Sequence, residues 1–231
     1  MGMDTLQLRE SEIFRILKKI KGVDFVLIGG YAANSYALPR FSVDCDIVLR
    51  KKDVQNAKHI LESEGYSIVA GGDDAPYYGE FLRSEITIAE TMRASVDMLI
   101  DKVSDRQSGV SFDADWIFEN SERRTIIGKT ITERINIRVI NADALFVMKF
   151  ISARTTDIRD IFMMVTSIKD FEWVRNEIGL RLNFEEQYGK IFEKISNKHF
   201  KDNLQGVYGY IDEKIFQKHL DMIRKLPEAN S

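Results

Sequence analysis

VLIGGYAANSYALPRFSVDCDIVL, Val26 to Leu49, is the stretch that decides how this chain folds. A short apolar run from Phe25 to Ile28 reads as a buried strand and ends in Gly29 and Gly30, which permit a tight turn. Tyr31 to Leu38 reads as a short helix stopped by Pro39. A second apolar strand follows, carrying Asp44 and Asp46. Alternate side chains of a strand face the same way, so the two carboxylates share a face while Cys45 turns away. Two adjacent acids repel, and each loses hydration on a half-buried strand. A cation resolves both problems.

Outward from this stretch, SVDMLID (Ser95 to Asp101) reads as another strand with a carboxylate, Asp97, in the middle of an apolar run. Such a group must be paired or must hold a metal. If its strand lies beside that of Asp44 and Asp46, three carboxylates converge, a hard oxygen set suited to Mg²⁺ or Mn²⁺ with a substrate phosphate. The plainer alternative pairs Asp97 with an arginine. Asp101, at the strand end, reads as solvated. Strand, glycine pair and helix offer backbone N–H groups to an anion. The third glycine of a dinucleotide fingerprint is lacking, and no Gly-Lys-Ser/Thr follows the glycine pair as a Walker loop would need.

The remaining periodicities predict an amphipathic helix over Leu6 to Ile20 and a helix N-capped by Asp53 that runs to about Glu64. They predict strands over Tyr66 to Ala70, around Phe81 and over Ile86 to Ile88, with a loop at Gly71 to Pro76. Arg124 to Ile140 reads as a hairpin about Gly128. Asn141 caps a helix from Ala142 to about Ala153, and the pattern from Asp157 onward is helical. The expected organisation is α/β (α+β): a mixed sheet with flanking helices over residues 1–140, then a helical region over 141–231. With 44% hydrophobic and 30% charged residues and a net charge of −3, the composition is that of a globular protein and excludes a globally basic nucleic-acid binder. One cysteine permits no internal disulfide, the start of the chain lacks the apolar core of a signal peptide, and no run reaches the length of a membrane span. A cytoplasmic protein without membrane contact is expected.

The order of parts resembles the nucleotidyltransferase superfamily, whose relatives include polymerase beta and the kanamycin nucleotidyltransferases, and within it the AbiEii branch of toxin and abortive-infection proteins. Three segments carry the resemblance. The first joins the Gly-Gly motif to Arg40, Ser42, Asp44 and Asp46. The second, ASVDML, supplies Asp97. The third, INADALFVMKFISARTTDIRDI, resembles a helical Lys-x3-Ala-Arg-x2-Asp-x2-Asp segment through Lys149, Ala153, Arg154, Asp157 and Asp160. Ala37 and Thr156 depart from the branch's usual glycine and basic residue.

The resemblance implies a nucleotidyltransferase-type fold and transfer of a nucleoside monophosphate from an NTP to an acceptor hydroxyl. Asp44, Asp46 and Asp97 would be catalytic: Asp44 and Asp46 would hold a metal ion and the nucleotide triphosphate, and Asp97 would bind a second metal ion and help deprotonate the acceptor hydroxyl, the ions being Mg²⁺ or Mn²⁺. Gly29, Gly30, Arg40, Ser42 and Lys149 would bind the nucleotide, with Arg154, Asp157 and Asp160 as further candidates. It implies an RNA (tRNA among them) or protein acceptor and a cognate antitoxin. An enzyme acting on a small molecule such as an aminoglycoside is the near rival, and an idle nucleotide-binding or interaction module on the same fold is the rival from another class.

Read physically, Lys149 stands in an apolar run and must snorkel or reach a charge. It shares a face with Asp157 if one helix runs through both, while Thr155 or Thr156 could instead cap a new helix near Asp157. Arg123, Arg124, Lys129, Arg134 and Arg138 form a local basic stretch that reads as a solvated hairpin face or an RNA contact. His59, His199 and His219 show no metal spacing. Tyr77 and Tyr78 could stack on a base.

Overall fold

The computed structural model describes residues 3–71, 80–89 and 92–228. Tyr77 and Tyr78, with the loop expected between Gly71 and Pro76, lie outside the described residues beyond Gly71. The chain divides into two compact units. One comprises residues up to Ser35 and from Pro39 to Ile140; the other comprises Tyr36–Leu38 and the chain from Asn141 onward.

In chain order the first unit holds α1 (Met3–Ile20), β1 (Phe25–Leu27), α2 (Gly29–Ala33), β2 (Asp44–Leu49), α3 (Lys51–Ser63), β3 (Ser67–Gly71), β4 (Glu80–Ala89) and β5 (Met92–Ile100). It continues with β6 (Lys102–Ser104), β7 (Ser111–Asp113), α4 (Ala114–Glu119), β8 (Ser121–Ile127) and β9 (Arg134–Ile140). Seven strands form one sheet in the order β3-β4-β5-β2-β1-β9-β8, and β6 and β7 form a separate ribbon. The sheet is mixed: β2 runs parallel to β5 and β1 parallel to β9, while the other neighbours are antiparallel.

On α1, Ile13, Phe14, Ile16, Leu17 and Ile20 are wholly buried, the i, i+3, i+4, i+7 stripe of an amphipathic helix. Each contributes on the order of 1.5–3 kcal/mol by leaving water. The strand face bearing Cys45, Ile47, Leu49, Val96 and Met98 is likewise buried, and the Cys45 thiol is pushed well above its ordinary pKa, first by burial and then by the nearby aspartates. Cys45 is a protonated core residue. Glu10 is the buried acid of α1. Its carboxylate accepts from Lys129 N (2.7 Å), Thr130 N (2.8 Å) and Thr130 Oγ1 (2.7 Å), so the turn of the β8–β9 hairpin is pinned to the helix.

Three local expectations differ from the structure. The α2 helix spans Gly29–Ala33 rather than Tyr31 to Leu38; its C-cap residue Asn34 clamps Arg40, its Nδ2 donating to Arg40 O (2.9 Å) and its Oδ1 accepting from Arg40 N (3.0 Å). The α3 helix begins at Lys51 rather than after Asp53. Its leading N–H is satisfied by a residue fifty positions away, since Lys51 N donates to Asp101 Oδ1 at 2.9 Å. The two strands expected around Phe81 and Ile86 are one ten-residue strand, β4, whose polar middle finds partners on β5.

On the hairpin, Arg123 and Arg138 stand opposite each other. Arg124 is engaged by Glu122 Oε1 (3.0 Å) and Ser35 O (3.1 Å), and Arg138 lies over the Phe118 ring. Part of the basic stretch therefore serves the unit internally.

The second unit is helical: α5 (Ala142–Ser152), α6 (Thr155–Met164), α7 (Phe171–Gly179), α8 (Phe184–Ile195), α9 (Phe200–Tyr208) and α10 (Glu213–Lys225). Asn141 caps α5, its side chain accepting from Ala144 N at 2.8 Å. The α5 helix ends at Ala153 in the left-handed region (φ 43°), and α6 starts from Arg154, so Lys149 and Asp157 belong to two helices and neither Thr155 nor Thr156 provides the cap. Phe146, Phe150, Phe184, Tyr188 and Phe192 stack in sequence, with centroids 5.5–6.0 Å apart, and tie α5 to α8. Gln187 Nε2 donates to the Phe150 and Ile151 carbonyls at the end of α5.

His219 on α10 is buried, and its Nδ1–H donates to Phe162 O at 2.9 Å. Burial holds its pKa below the ordinary 6.5. The unfolded chain therefore binds the proton more readily, and the stability this neutral imidazole supplies is complete above 6.5 and lost as pH falls below it. Thermal midpoints of the wild type should drop between pH 7 and pH 5 more steeply than those of His219→Gln; parallel profiles would contradict this. No helix among the described residues is long and apolar enough to cross a membrane.

Candidate functional site

The parallel pairing of β2 with β5 sets Asp44 opposite Ser95 and Asp46 opposite Asp97. Side chains at paired positions stand on the same side of a sheet, so all three predicted carboxylates occupy one face at the middle of the sheet. The antiparallel β4 adds Arg83 opposite Asp97. Arg83 forks onto Asp97, with Nε to Oδ1 at 2.7 Å and Nη2 to Oδ2 at 2.6 Å, and Nη2 lies 3.4 Å from Asp44 Oδ1. Ser95 Oγ donates to Asp44 Oδ1 at 2.6 Å and fixes that carboxylate.

Asp97 is 2% exposed, whereas the Asp44 side chain is 35% exposed and Arg83 28%. Burial raises the Asp97 pKa and the Arg83 pair opposes that rise. The same pair raises the Arg83 pKa still further, so the guanidinium is permanently charged.

The glycine pair touches this face directly. Gly29 has φ +67°, and a Cβ there would lie 2.0 Å from Asp46 Oδ2. A Cβ on Gly30 would lie 2.3 Å from Ser42 Oγ and 3.2 Å from Arg40 Nη1. Gly29, Gly30, Arg40, Ser42 and Asp46 are thus one local cluster. Arg40 Nη1 donates to Phe41 O (3.0 Å) and Ser42 Oγ to Asp44 O (3.2 Å), which shapes the loop entering β2.

Gly29→Ala combines a left-handed backbone, which costs an L-residue about 1–2 kcal/mol, with displacement of the Asp46 carboxylate. The expected result is a clear loss of thermal stability, against no change for Gly22→Ala, where a Cβ meets nothing within 4 Å. Equal behaviour of the two variants in a melting experiment would contradict it.

Lys149, Asp157 and Asp160 come together in the helical unit. Lys149 Nζ lies 2.9 Å from Asp157 Oδ1 and 2.7 Å from Asp160 Oδ2. Ser152 Oγ donates to Asp157 Oδ2 (2.8 Å) and Tyr208 OH to Asp160 Oδ1 (2.6 Å). All three charged residues are buried, so the lysine reaches charge rather than solvent. Arg154 is the N-cap residue of α6.

The donor set tests the expectation of a divalent ion. Asp44 and Asp46 present hard carboxylate oxygens at alternate positions of one strand, as such an ion requires. Asp97 differs from the expectation. It is paired with Arg83, the plainer of its two alternatives, and among the described residues no group of three or more His, Cys, Asp or Glu side chains is gathered to hold an ion. The face fits a cation at Asp44 and Asp46, with Asp97 neutralised by the protein itself. Arg83 and Ser95 are the members of the cluster that the sequence did not expose; an arginine amid the FLRSE of β4 becomes meaningful only once β4 is known to border β5.

This mixed sheet with flanking helices is a nucleotidyltransferase-type fold. The chain is similar to ANT(2'')-Ia in a crystal structure with adenylyl-2''-tobramycin, with a TM-score of 0.51 and 16% identity over 78% of this chain and 98% of that one. It is also similar to JHP933 from Helicobacter pylori, with a TM-score of 0.50 and 14% identity over 100% and 96% of the two chains. No protein-family model and no curated protein matches the chain.

Proposed function

We propose that this chain is a nucleotidyltransferase that moves a nucleoside monophosphate from an NTP to an acceptor hydroxyl and releases pyrophosphate. The observation that carries the reading is the register of β2 on β5, with Asp44, Asp46 and Asp97 on one face beside the glycine pair. In this reading Asp44 and Asp46 hold a divalent cation, Mg²⁺ or Mn²⁺. Bound there, the ion would neutralise triphosphate charge and favour departure of pyrophosphate.

The chain's own residues do the rest. Ser95 keeps Asp44 aimed. Arg40, Ser42, Gly29 and Gly30 line the approach to Asp46 and meet the phosphates. The resemblance assigns the proton of the acceptor hydroxyl to Asp97; Arg83 holds both of its oxygens, so taking that proton requires one oxygen to leave the fork. Charge neutralisation and positioning supply most of the rate in chemistry of this kind. We assign Lys149, Asp157 and Asp160 to the internal order of the helical unit, because the ammonium is held by both carboxylates; the nucleotide contact implied for Lys149 would require it to leave them. Arg154 has no separate role in the reading.

The likeness of three segments to the AbiEii branch supports a macromolecular acceptor, RNA (tRNA among them) or protein, and the role of a cytoplasmic toxin with a cognate antitoxin. A second reading, transfer to a small hydroxylated molecule, is favoured by the adenylyl-2''-tobramycin in the ANT(2'')-Ia structure. Expression of the wild type and of Asp46→Ala, scored for growth and for labelled RNA or protein, separates them. Slowed growth with labelling in the wild type alone supports the toxin. Normal growth without macromolecular label, together with labelling of an aminoglycoside by the purified chain, supports the second reading. Nucleotide binding without pyrophosphate release, seen as a raised melting temperature only, would overturn both in favour of an idle module.

A further inference from the structure

Arg83 reaches the acidic face from β4, on the far side of Asp97 from Asp46. Two of its N–H groups engage both oxygens of Asp97, and Nη2 also approaches Asp44. A carboxylate as buried as Asp97 needs a counter-charge, and the guanidinium fork supplies one in the planar geometry that matches two carboxylate oxygens. Those oxygens are the ones Asp97 would offer to an ion. A divalent cation on Asp97 would have to displace the fork and stand beside a permanent positive charge.

We propose that Arg83 is a resident cation of this site. It takes the place of a second divalent ion, so that the chain loads one ion, through Asp44 and Asp46, and Asp97 holds the guanidinium rather than an ion. The inference rests on the nucleotidyltransferase reading and refines it: the chain's charge requirement is met partly by a group that chelators cannot remove.

Counting bound Mn²⁺ on the full chain, by the electron paramagnetic resonance signal of the free ion without nucleotide, tests this apart from activity. One ion per wild-type chain and two per Arg83→Gln chain is the expected result. Arg83→Gln should also melt lower than the wild type in EDTA and recover more on adding Mn²⁺, because the ion then meets the charge that Arg83 had balanced. Two ions in the wild type, or one in Arg83→Gln, overturns the proposal while leaving the nucleotidyltransferase reading intact. No ion in either protein also overturns the proposal, and the nucleotidyltransferase reading then stands or falls on pyrophosphate release. If Arg83→Gln does not fold, Arg83→Met, which keeps the bulk of the side chain, carries the same count with the same outcomes.

Discussion

Asp44→Asn should lower NTP-dependent pyrophosphate release by about a thousandfold, with the melting temperature nearly unchanged. The two halves of that expectation have separate causes. Ser95 Oγ donates to Asp44 Oδ1, and an asparagine oxygen can accept the same bond, so the local structure is kept. The side chain is partly open to solvent, so replacing it leaves no buried charge unpaired. What is lost is one of the two carboxylates assigned to the cation, and removing even one electrostatic stabiliser of a transition state costs roughly a hundred- to a thousandfold. Retention of more than a tenth of the wild-type release rate would remove Asp44 from the proposed machinery. A large fall in melting temperature would instead make it a structural residue.

Lys149→Met is expected to be the most destabilising single change in the helical unit. The substitution keeps the side chain's length but leaves Asp157 and Asp160 buried against each other without the ammonium that joins them. Breaking a buried ion pair from one side costs roughly 3–5 kcal/mol, because the stranded charge is not rehydrated. The Ser152 and Tyr208 hydroxyls keep the two carboxylates partly satisfied, so adding Asp160→Asn to Lys149→Met should restore part of the loss. Urea midpoints of the wild type, the single and the double variant provide the comparison. A loss of less than about 1 kcal/mol, on the scale of an exposed pair, would show that Lys149 is free to serve another partner.

Much of the first unit could be read from local pattern. Apolar runs of strand length, the α1 stripe and the Asp-x-Asp alternation are set by neighbours along the chain, and the glycine pair marked a real constraint: Gly29 has positive φ and no room for a Cβ. What escaped the reading depends on contacts between distant segments. Arg83 is an ordinary strand arginine until β4 pairs with β5. Asp97 reads first as a metal ligand, and its pairing with an arginine, the plainer alternative, shows only once that strand pairing is known. Asp101 satisfies a helix start that Asp53 was expected to serve, because the end of β5 lies beside the start of α3. The end of α5 at Ala153 is legible, but the meeting of Lys149 with Asp157 and Asp160 is not, because it depends on how α6 packs against α5.

Attack at the α-phosphorus is what the proposed chemistry requires of the acidic face. It is tested most directly by incubating the wild type with Mg²⁺ and its acceptor in the presence of NTP labelled at the α-phosphate or, separately, at the γ-phosphate. The account predicts that the α label alone passes to the acceptor, while the γ label leaves in pyrophosphate. Passage of the γ label to the acceptor would make the chain a kinase and contradict the account.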